Sequence, residues 1–288
     1  MARKKQVRYE EVPIWGAEGL LEDEMEDGPR TARQRRPIVE IIHVDDHIIV
    51  ADKPAGIVAG VVGQIGESIT TQLSQAIRVP QSAVRLVDRM VQGVSGVTIL
   101  ARTAEAQREL VRQFTRGGVA KTYLAIVRGS LLDRQGRIAL DIGPDKTRPG
   151  RLRVGGSQAR HAETAWTLKD QFAGFALLEV HPDKERGDQV RLHLQAAGMP
   201  LAVDPEYGGA EELLLSSFKP EYRRSRRREE RPLISRLSLH ARAITFTHPA
   251  GGGQMHFESP PPKDFRATIN QLDKHGRIGV PDLSAGAP

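Results

Sequence analysis

The sequence of 288 residues contains no cysteine, and aromatic residues make up only 5% of it. The absence of cysteine excludes disulfide bonds, thiolate metal ligands and a cysteine nucleophile, and it is consistent with a reducing compartment. No stretch approaches the roughly 20 uncharged residues that a membrane-spanning helix requires. The basic N-terminus is not followed by the apolar stretch of a secretory signal. We therefore expect a cytoplasmic protein with no association with a membrane.

Several common catalytic and cofactor signatures are also missing. The nine histidines include no His-Glu-x-x-His pair. His240, His248 and His256 recur every eight residues, but no acid or thiol stands at matching offsets, which favours structural roles over metal binding. The segment from Gly93 to Val97 approaches a serine nucleophile elbow but ends in valine instead of glycine. We therefore expect no metal and no cofactor.

What is present indicates one folded domain between two tails. Hydrophobic residues make up 39% of the chain, and 42 basic residues exceed 36 acidic ones. Residues 1–37 combine an acidic block with several arginines and few apolar side chains, which predicts a disordered charged tail. The folded domain is predicted over residues 38–268. Residues 269–288 are polar and rich in glycine and proline, which predicts a flexible C-terminal tail.

One strongly basic segment lies within the predicted domain. Six arginines fall between Arg223 and Arg231, with no lysine among them. Such a cluster has the charge of a phosphate-binding surface. A solvated charged loop is the alternative, because Glu229 and Glu230 lie in the same segment. The candidate phosphate-binding residues are Arg223, Arg224, Arg226, Arg227 and Arg228.

The hydrophobic pattern predicts an α+β fold with a central, mostly antiparallel sheet. Short strands are expected in sequence-local pairs, and Lys121 to Val127 alternates so that Tyr123, Ala125 and Val127 share one face. A helix is predicted from an N-cap at Thr103 to Phe114, ending at Gly117, with Leu110, Val111 and Phe114 on its apolar face. Residues 189–197 fit either a strand or a helix. The later Gly198 and Pro200 favour the helix.

Several motifs occur in one order along the chain. They are Lys53-Pro54-Ala55-Gly56, Asp88-Arg89-Met90-Val91 with Ser95-Gly96, Lys121-Thr122-Tyr123, Gln189-Val190-Arg191-Leu192-His193-Leu194 and Asp204-Pro205-Glu206-Tyr207-Gly208. Together they closely resemble the RluA-type RNA pseudouridine synthases over about residues 38–268. The resemblance implies the pseudouridine synthase fold and an RNA partner, with structured ribosomal or transfer RNA expected. No protein partner is indicated.

The resemblance also implies roles for single residues. In this family an enzyme takes a uridine out of the RNA, and an aspartate carboxylate attacks or assists at the ribose C1′ before the uracil rejoins through carbon 5. A tyrosine packs on the uracil, and a basic residue pairs with the aspartate. Tyr123 and Arg191 occupy the latter two positions, and Arg89 matches an arginine that contacts RNA beside the extruded base. The position of the catalytic aspartate is Val91.

A valine offers no oxygen for catalysis, so the leading interpretation is an RNA-binding member of the family whose isomerase activity is lost or impaired. An active synthase with a displaced carboxylate, such as Asp88, is the alternative. The sequence leaves open whether the protein is an enzyme. A third interpretation is a protein scaffold without an RNA role. If residues 188–197 are helical, Asp188 is three residues from Arg191 and can pair with its charge.

Overall fold

A single large mixed sheet with four α-helices dominates the described part of the chain. The structure is a computed structural model that describes residues 38–59, 68–184, 186–223 and 229–278. Its elements, in chain order, are β1 (Glu40–Val44), β2 (Ile48–Lys53), α1 (Ile69–Ala76), β3 (Arg85–Leu86), β4 (Ser95–Ala101), α2 (Ala104–Arg116), β5 (Ala120–Arg128), β6 (Gln135–Pro144), β7 (Leu152–Val154), β8 (Arg160–Phe172), β9 (Phe175–Pro182), α3 (Gln189–Ala196), β10 (Leu239–Thr247), β11 (Gln254–Glu258) and α4 (Lys263–Gly276).

The strand order brings distant parts of the chain together at the centre of the sheet. The order is β1-β2-β4-β10-β5-β9-β8-β6-β7, with β11 paired to β10 and β3 paired to β4. Strands β4 and β10 pair in parallel, and the other strand pairs described are antiparallel. The predicted α+β class with a mostly antiparallel mixed sheet is therefore confirmed.

The junction between β4 and β10 requires a glycine. Gly96 lies opposite Ala241 and has φ 115°. A Cβ atom at this position would collide with the backbone carbonyl oxygen of Ala241. Only glycine avoids both this collision and the strain of the left-handed region. Gly96 therefore allows β10 to approach β4, the strand that follows the loop of residues 88–94.

Alternation along β5 separates the two largest apolar clusters. Tyr123, Ala125 and Val127 pack in one cluster, whereas Leu124 and Ile126 pack in another. The first cluster also contains Met90, Val94 and residues of α3. The predicted common face of Tyr123, Ala125 and Val127 is confirmed, and it is the face turned toward the residues of the central motif.

Helix α2 follows its predicted signals, with one difference on its surface. The Thr103 side chain accepts a hydrogen bond from the Ala106 amide, and Gly117 ends the helix with φ 77°. Leu110 is fully buried and Phe114 packs partly buried against the same cluster. Val111, however, is 45% exposed. Its assignment to the apolar face was wrong. Val111 directly follows the buried Leu110, and successive helical residues point about 100° apart, so its side chain is turned toward solvent.

The predicted flexible tail over residues 269–288 is contradicted over residues 269–276 by helix α4, which continues to Gly276, and residues 279–288 lie outside the described residues. Phe265, Thr268, Ile269 and Leu272 are buried, and their spacing places them on one face of the helix. The polar residues between them point outward. A stretch that looks polar and loose in composition is therefore an amphipathic helix packed on the sheet, and the domain extends beyond residue 268.

Two predicted features lie outside the described residues. They are the charged tail over residues 1–37 and four arginines of the basic segment, Arg224, Arg226, Arg227 and Arg228. Arg223 is described and is exposed to solvent. None of the helices in the described ranges has the length and apolar character needed to cross a membrane.

Candidate functional site

A buried lysine fixes the loop that carries the central motif. Lys53 is fully buried at the end of β2. Its ammonium group donates hydrogen bonds to the carbonyl oxygens of Ile57 at 3.0 Å and Gln92 at 3.2 Å. The Gly56 amide also donates to the Gln92 carbonyl at 2.8 Å, and the Gln92 side chain donates back to the Gly56 carbonyl at 2.9 Å. These bonds hold the loop of residues 88–94 against the turn that follows β2.

Asp88, the first residue of this loop, forms a buried ion pair. Its carboxylate is 2.7 Å from the Lys121 ammonium group, with both side chains 1% exposed, and it accepts a hydrogen bond from the Thr98 hydroxyl at 3.2 Å. Its Oδ1 atom is buried and has no hydrogen-bond partner among the described residues. Burial lowers the pKa of Lys53, and the negative charge of Asp88 opposes this shift.

The loop and α3 enclose a pocket beside β5. Arg89 and Val91 of the loop line it together with Tyr123 and Arg191. The described residues that line it are Arg89, Met90, Val91, Val94, Tyr123, Gly187, Val190, Arg191 and Leu239. None of these described lining residues carries a carboxylate. The structure thus brings together four residues that the sequence analysis singled out, and Asp88 is not among the lining residues.

Tyr123 forms part of the pocket wall without being freely exposed. It is only 3% exposed and packs in the apolar cluster with Val94 and Val190. The Lys121 ammonium group lies 5.1 Å from the centre of its ring. This geometry has the form of a cation–π contact, so the buried pair of Lys121 and Asp88 also contacts the tyrosine of the pocket.

Arg191 is the most extensively paired side chain at the pocket. Its Nε and Nη2 atoms donate to the two carboxylate oxygens of Asp204 at 2.7 and 2.6 Å. Its Nη1 atom donates to Asp188 at 2.7 Å, and Nη2 also contacts Glu206 at 3.0 Å. The guanidinium group lies 4.8 Å from the centre of the Tyr207 ring. The pairing of Asp188 with Arg191 across one helical turn, predicted from their spacing, is confirmed.

These partners explain how a buried guanidinium group remains charged. Burial alone lowers the pKa of Arg191, but the hydrogen bonds that it donates to Asp204 and the charges of Asp188 and Asp204 raise the pKa well above its ordinary value. Tyr207 is part of the same network, since its hydroxyl contacts Asp188 at 3.2 Å. Burial and the Asp188 charge raise the pKa of Tyr207 to about 12. Tyr207 therefore stays protonated at neutral pH and can donate its hydrogen.

Sequence reasoning missed three residues that organise the site. Asp204 and Glu206 were recognised as part of a motif, but they were assigned no role toward Arg191. Lys53 was recognised in the same way, without its bond to the loop. The available signal was a charged residue close to apolar sequence: Lys53 lies two positions after the run Ile48–Ala51, and Asp204 directly follows Leu201–Val203. Such residues are buried only when they are paired.

Comparisons with known proteins agree on one family. Residues 47–196 match the family model described as RNA pseudouridylate synthase. The chain is 32% identical over 203 residues to RNA pseudouridine synthase 2, chloroplastic, of Arabidopsis thaliana, covering 66% of this chain and 47% of that protein. It is 32% identical over 234 residues to ribosomal large subunit pseudouridine synthase C of Salmonella typhi, covering 81% of this chain and 69% of that protein.

A solved structure supports the fold. The human RNA Pseudouridylate Synthase Domain Containing 1 structure aligns with a TM-score of 0.60 at 20% identity, covering 85% of this chain and 91% of that one. Because the family model matches more than half of the chain, the chain belongs to the RNA pseudouridylate synthase family. The family acts on RNA, converting uridine to pseudouridine. The chain spans about half the length of the Arabidopsis relative.

Proposed function

We propose that this protein binds RNA through the family's pocket but has little or no isomerase activity. The observation that carries the proposal is the wall of the pocket: Val91 lines it together with Arg89, Tyr123 and Arg191. Motif resemblance assigns position 91 to the catalytic aspartate. A valine there cannot act as nucleophile, acid or base.

The pairing of Arg191 supports the same proposal. In an active member the arginine at this position is expected to pair with the catalytic aspartate. In this protein, Asp188, Asp204 and Glu206 already accept hydrogen bonds from Arg191. A buried arginine that lost one carboxylate would be destabilising unless another replaced it. The charge of Arg191 is therefore balanced without a carboxylate at position 91.

The RNA partner is proposed from the relatives and from charge. The Salmonella relative is named for the ribosomal large subunit, and we propose ribosomal RNA as the ligand, with binding in the cytoplasm. Arg89 would contact the RNA at the pocket, and Arg223, Arg224, Arg226, Arg227 and Arg228 would contact its phosphates. Tyr123 would stack on an extruded base.

The alternative, an active synthase that uses Asp88, is disfavoured by the environment of that residue. Its carboxylate is 1% exposed and paired with Lys121. A carboxylate that attacks a ribose must reach the substrate to within about 3–3.5 Å. One observation favours the alternative: Oδ1 of Asp88 has no partner among the described residues.

Tritium release from ribosomal RNA transcribed with 5-tritiated uridine tests the proposal, because formation of pseudouridine displaces the hydrogen on carbon 5. We expect no release by the natural protein and release by Val91→Asp. Val91→Asn is the matched control, since it has nearly the same shape without the charge, and it should remain silent. Release by the natural protein would overturn the proposal, and its loss in Asp88→Asn would then identify the displaced carboxylate.

A further inference from the structure

A second basic surface lies on the hairpin formed by β6 and β7 at the edge of the sheet. The segment 144–160 contains five basic residues and one acidic residue. Strand β7 pairs with β6 at three positions and has no further strand beyond it among the described elements. The hairpin therefore presents a concentrated positive charge outside the pocket described above.

The single acid of this segment is already used within the turn. Asp145 accepts hydrogen bonds from the amide and the hydroxyl of Thr147 at 2.9 and 2.7 Å, and from Arg148 at 2.9 Å. These bonds hold the pKa of Asp145 well below its ordinary value, and the hydrogen bond from the Thr147 side chain has the largest effect on it. The Asp145 carboxylate thus neutralises the charge of Arg148. It does not neutralise the charges of the other basic residues of the hairpin.

Two of the remaining basic residues line a concavity. Lys146 and Arg153 face it together with Ser157, Gln158 and glycines 143, 155 and 156. Both basic side chains belong to exposed residues, and neither has an ion-pair partner within the described ranges. Two of these glycines border open space, because a Cβ atom at Gly155 or Gly156 would meet nothing within 4 Å. Two cations, a hydroxyl and an amide around an open concavity are suited to a phosphate group.

The hairpin is connected to the pocket by a chain of ionic contacts. Arg151 lies 2.7 Å from one carboxylate oxygen of Glu206, and the other oxygen lies 3.0 Å from Arg191. The Leu152 amide donates to the Tyr207 hydroxyl at 3.0 Å. Leu152 also packs against the apolar cluster that contains Leu192 and Tyr207. The concavity is thus held by the same elements that position Arg191 in the pocket.

We propose that this concavity binds a backbone phosphate of the RNA that flanks the nucleotide held in the pocket. The inference rests on the proposed RNA-binding function and extends it to a surface for which no role has been assigned. Lys146 and Arg153 supply the charge, and Ser157 and Gln158 supply additional donors. Because phosphate contacts orient RNA without reading its bases, the hairpin sets the direction in which the strand leaves the pocket.

The test measures RNA binding by the full chain as a function of salt. The double variant Lys146→Gln/Arg153→Gln is compared with the natural protein on a labelled oligouridylate and on a labelled ribosomal RNA hairpin. If the contact with this one phosphate is lost, the slope of log affinity against log salt should become shallower by about 0.7, using about 0.7 per phosphate for a single strand. Affinity at low salt should weaken several-fold on both probes.

The matched control is Arg108→Gln/Arg112→Gln, which removes the same charge from the exposed surface of α2. It should leave the slope unchanged. Thermal unfolding of both variants verifies that the fold is retained. Equal slopes for the natural protein and the hairpin variant would overturn the hairpin site while leaving the proposed function intact. An equal fall in slope for both variants would overturn it too, because charge alone would then explain the effect. Absence of salt-dependent RNA binding by the natural protein would overturn both proposals.

Discussion

At the scale of single residues, the site is organised by buried charge. Asp88 pairs directly with Lys121 and acts electrostatically on Lys53. Burial lowers the pKa of Lys53 to about 7, and the charge of Asp88 opposes this shift. Lys53 in turn holds the carbonyl of Gln92. The loop that carries Val91 is therefore positioned by a lysine that is close to its own titration point at neutral pH.

The lowered pKa of Lys53 predicts how stability depends on pH. Between pH 7 and 10.5, the unfolded chain holds a proton on this lysine that the folded chain has released. The free energy of unfolding should therefore rise with pH across this window, by up to about 1.4 kcal/mol per pH unit. Lys53→Met should remove this contribution, whereas Lys263→Met on the surface should retain it. Urea unfolding from pH 7 to 9.5 measures the slopes, and identical slopes for the two variants would contradict the prediction.

The network around Arg191 predicts unequal effects of its acidic partners. Asp204 is fully buried and pairs with two nitrogen atoms of the guanidinium group. Asp204→Asn should lower the free energy of unfolding by roughly 3–5 kcal/mol, because it leaves a buried charge partly unpaired. The Glu206 side chain is 40% exposed, and Glu206→Gln should cost less than about 1 kcal/mol. Chemical denaturation compares the two variants. Similar decreases in the free energy of unfolding would show that burial does not determine how much each acidic partner stabilises the fold.

At the scale of secondary-structure elements, spacing within a helix predicted a partner of Arg191, whereas spacing between elements did not. Asp188 and Arg191 lie three residues apart, and their contact follows from helical geometry. Asp204 reaches the same guanidinium group from 13 residues further along the chain. No local periodicity links positions 191 and 204, because the path between them includes the end of α3 and an extended segment. The contact depends on how that segment folds back.

Helix α4 predicts where the chain can be shortened. A chain that ends at Ile278 keeps the whole of α4 and serves as the reference. A chain that ends at Thr268 loses Ile269 and Leu272, which are 4% and 0% exposed. Their removal should cost roughly 3–6 kcal/mol, taking about 1.5–3 kcal/mol for each buried side chain. Thermal or urea unfolding of both truncated chains tests this, and equal stability would indicate that α4 does not support the core.

At the scale of the whole molecule, basic charge is distributed over separate regions. The net charge is +6, yet the arginine segment and the hairpin each concentrate several cations. Arg151 of the hairpin is joined to the pocket through Glu206. An RNA bound in the pocket and on the hairpin would contact Arg89 and Arg153 at the same time.

The arginine segment should contribute to RNA affinity through phosphate contacts. Replacing Arg223, Arg224, Arg226, Arg227 and Arg228 by glutamine should reduce the slope of log affinity against log salt by up to about 3.5. The comparison variant replaces Arg30, Arg33, Arg35 and Arg36, which removes a similar charge from the predicted N-terminal tail. Fluorescence anisotropy with a ribosomal RNA fragment measures both. An equal reduction in the two variants would show that total charge matters and position does not.

The sequence by itself determined the fold class, the order of the motifs, the caps of α2 and the helical pairing of Asp188 with Arg191, because each depends on local spacing or on a family pattern. Only the tertiary structure decided that Asp88 is buried against Lys121 and that Lys53 holds the Gln92 carbonyl. It also decided that Asp204 completes the network of Arg191. These contacts join residues far apart in the chain, and their partners are selected by the packing of the sheet and by the exclusion of water. Neither the packing of the sheet nor the exclusion of water can be read from the residues next to each position in the sequence.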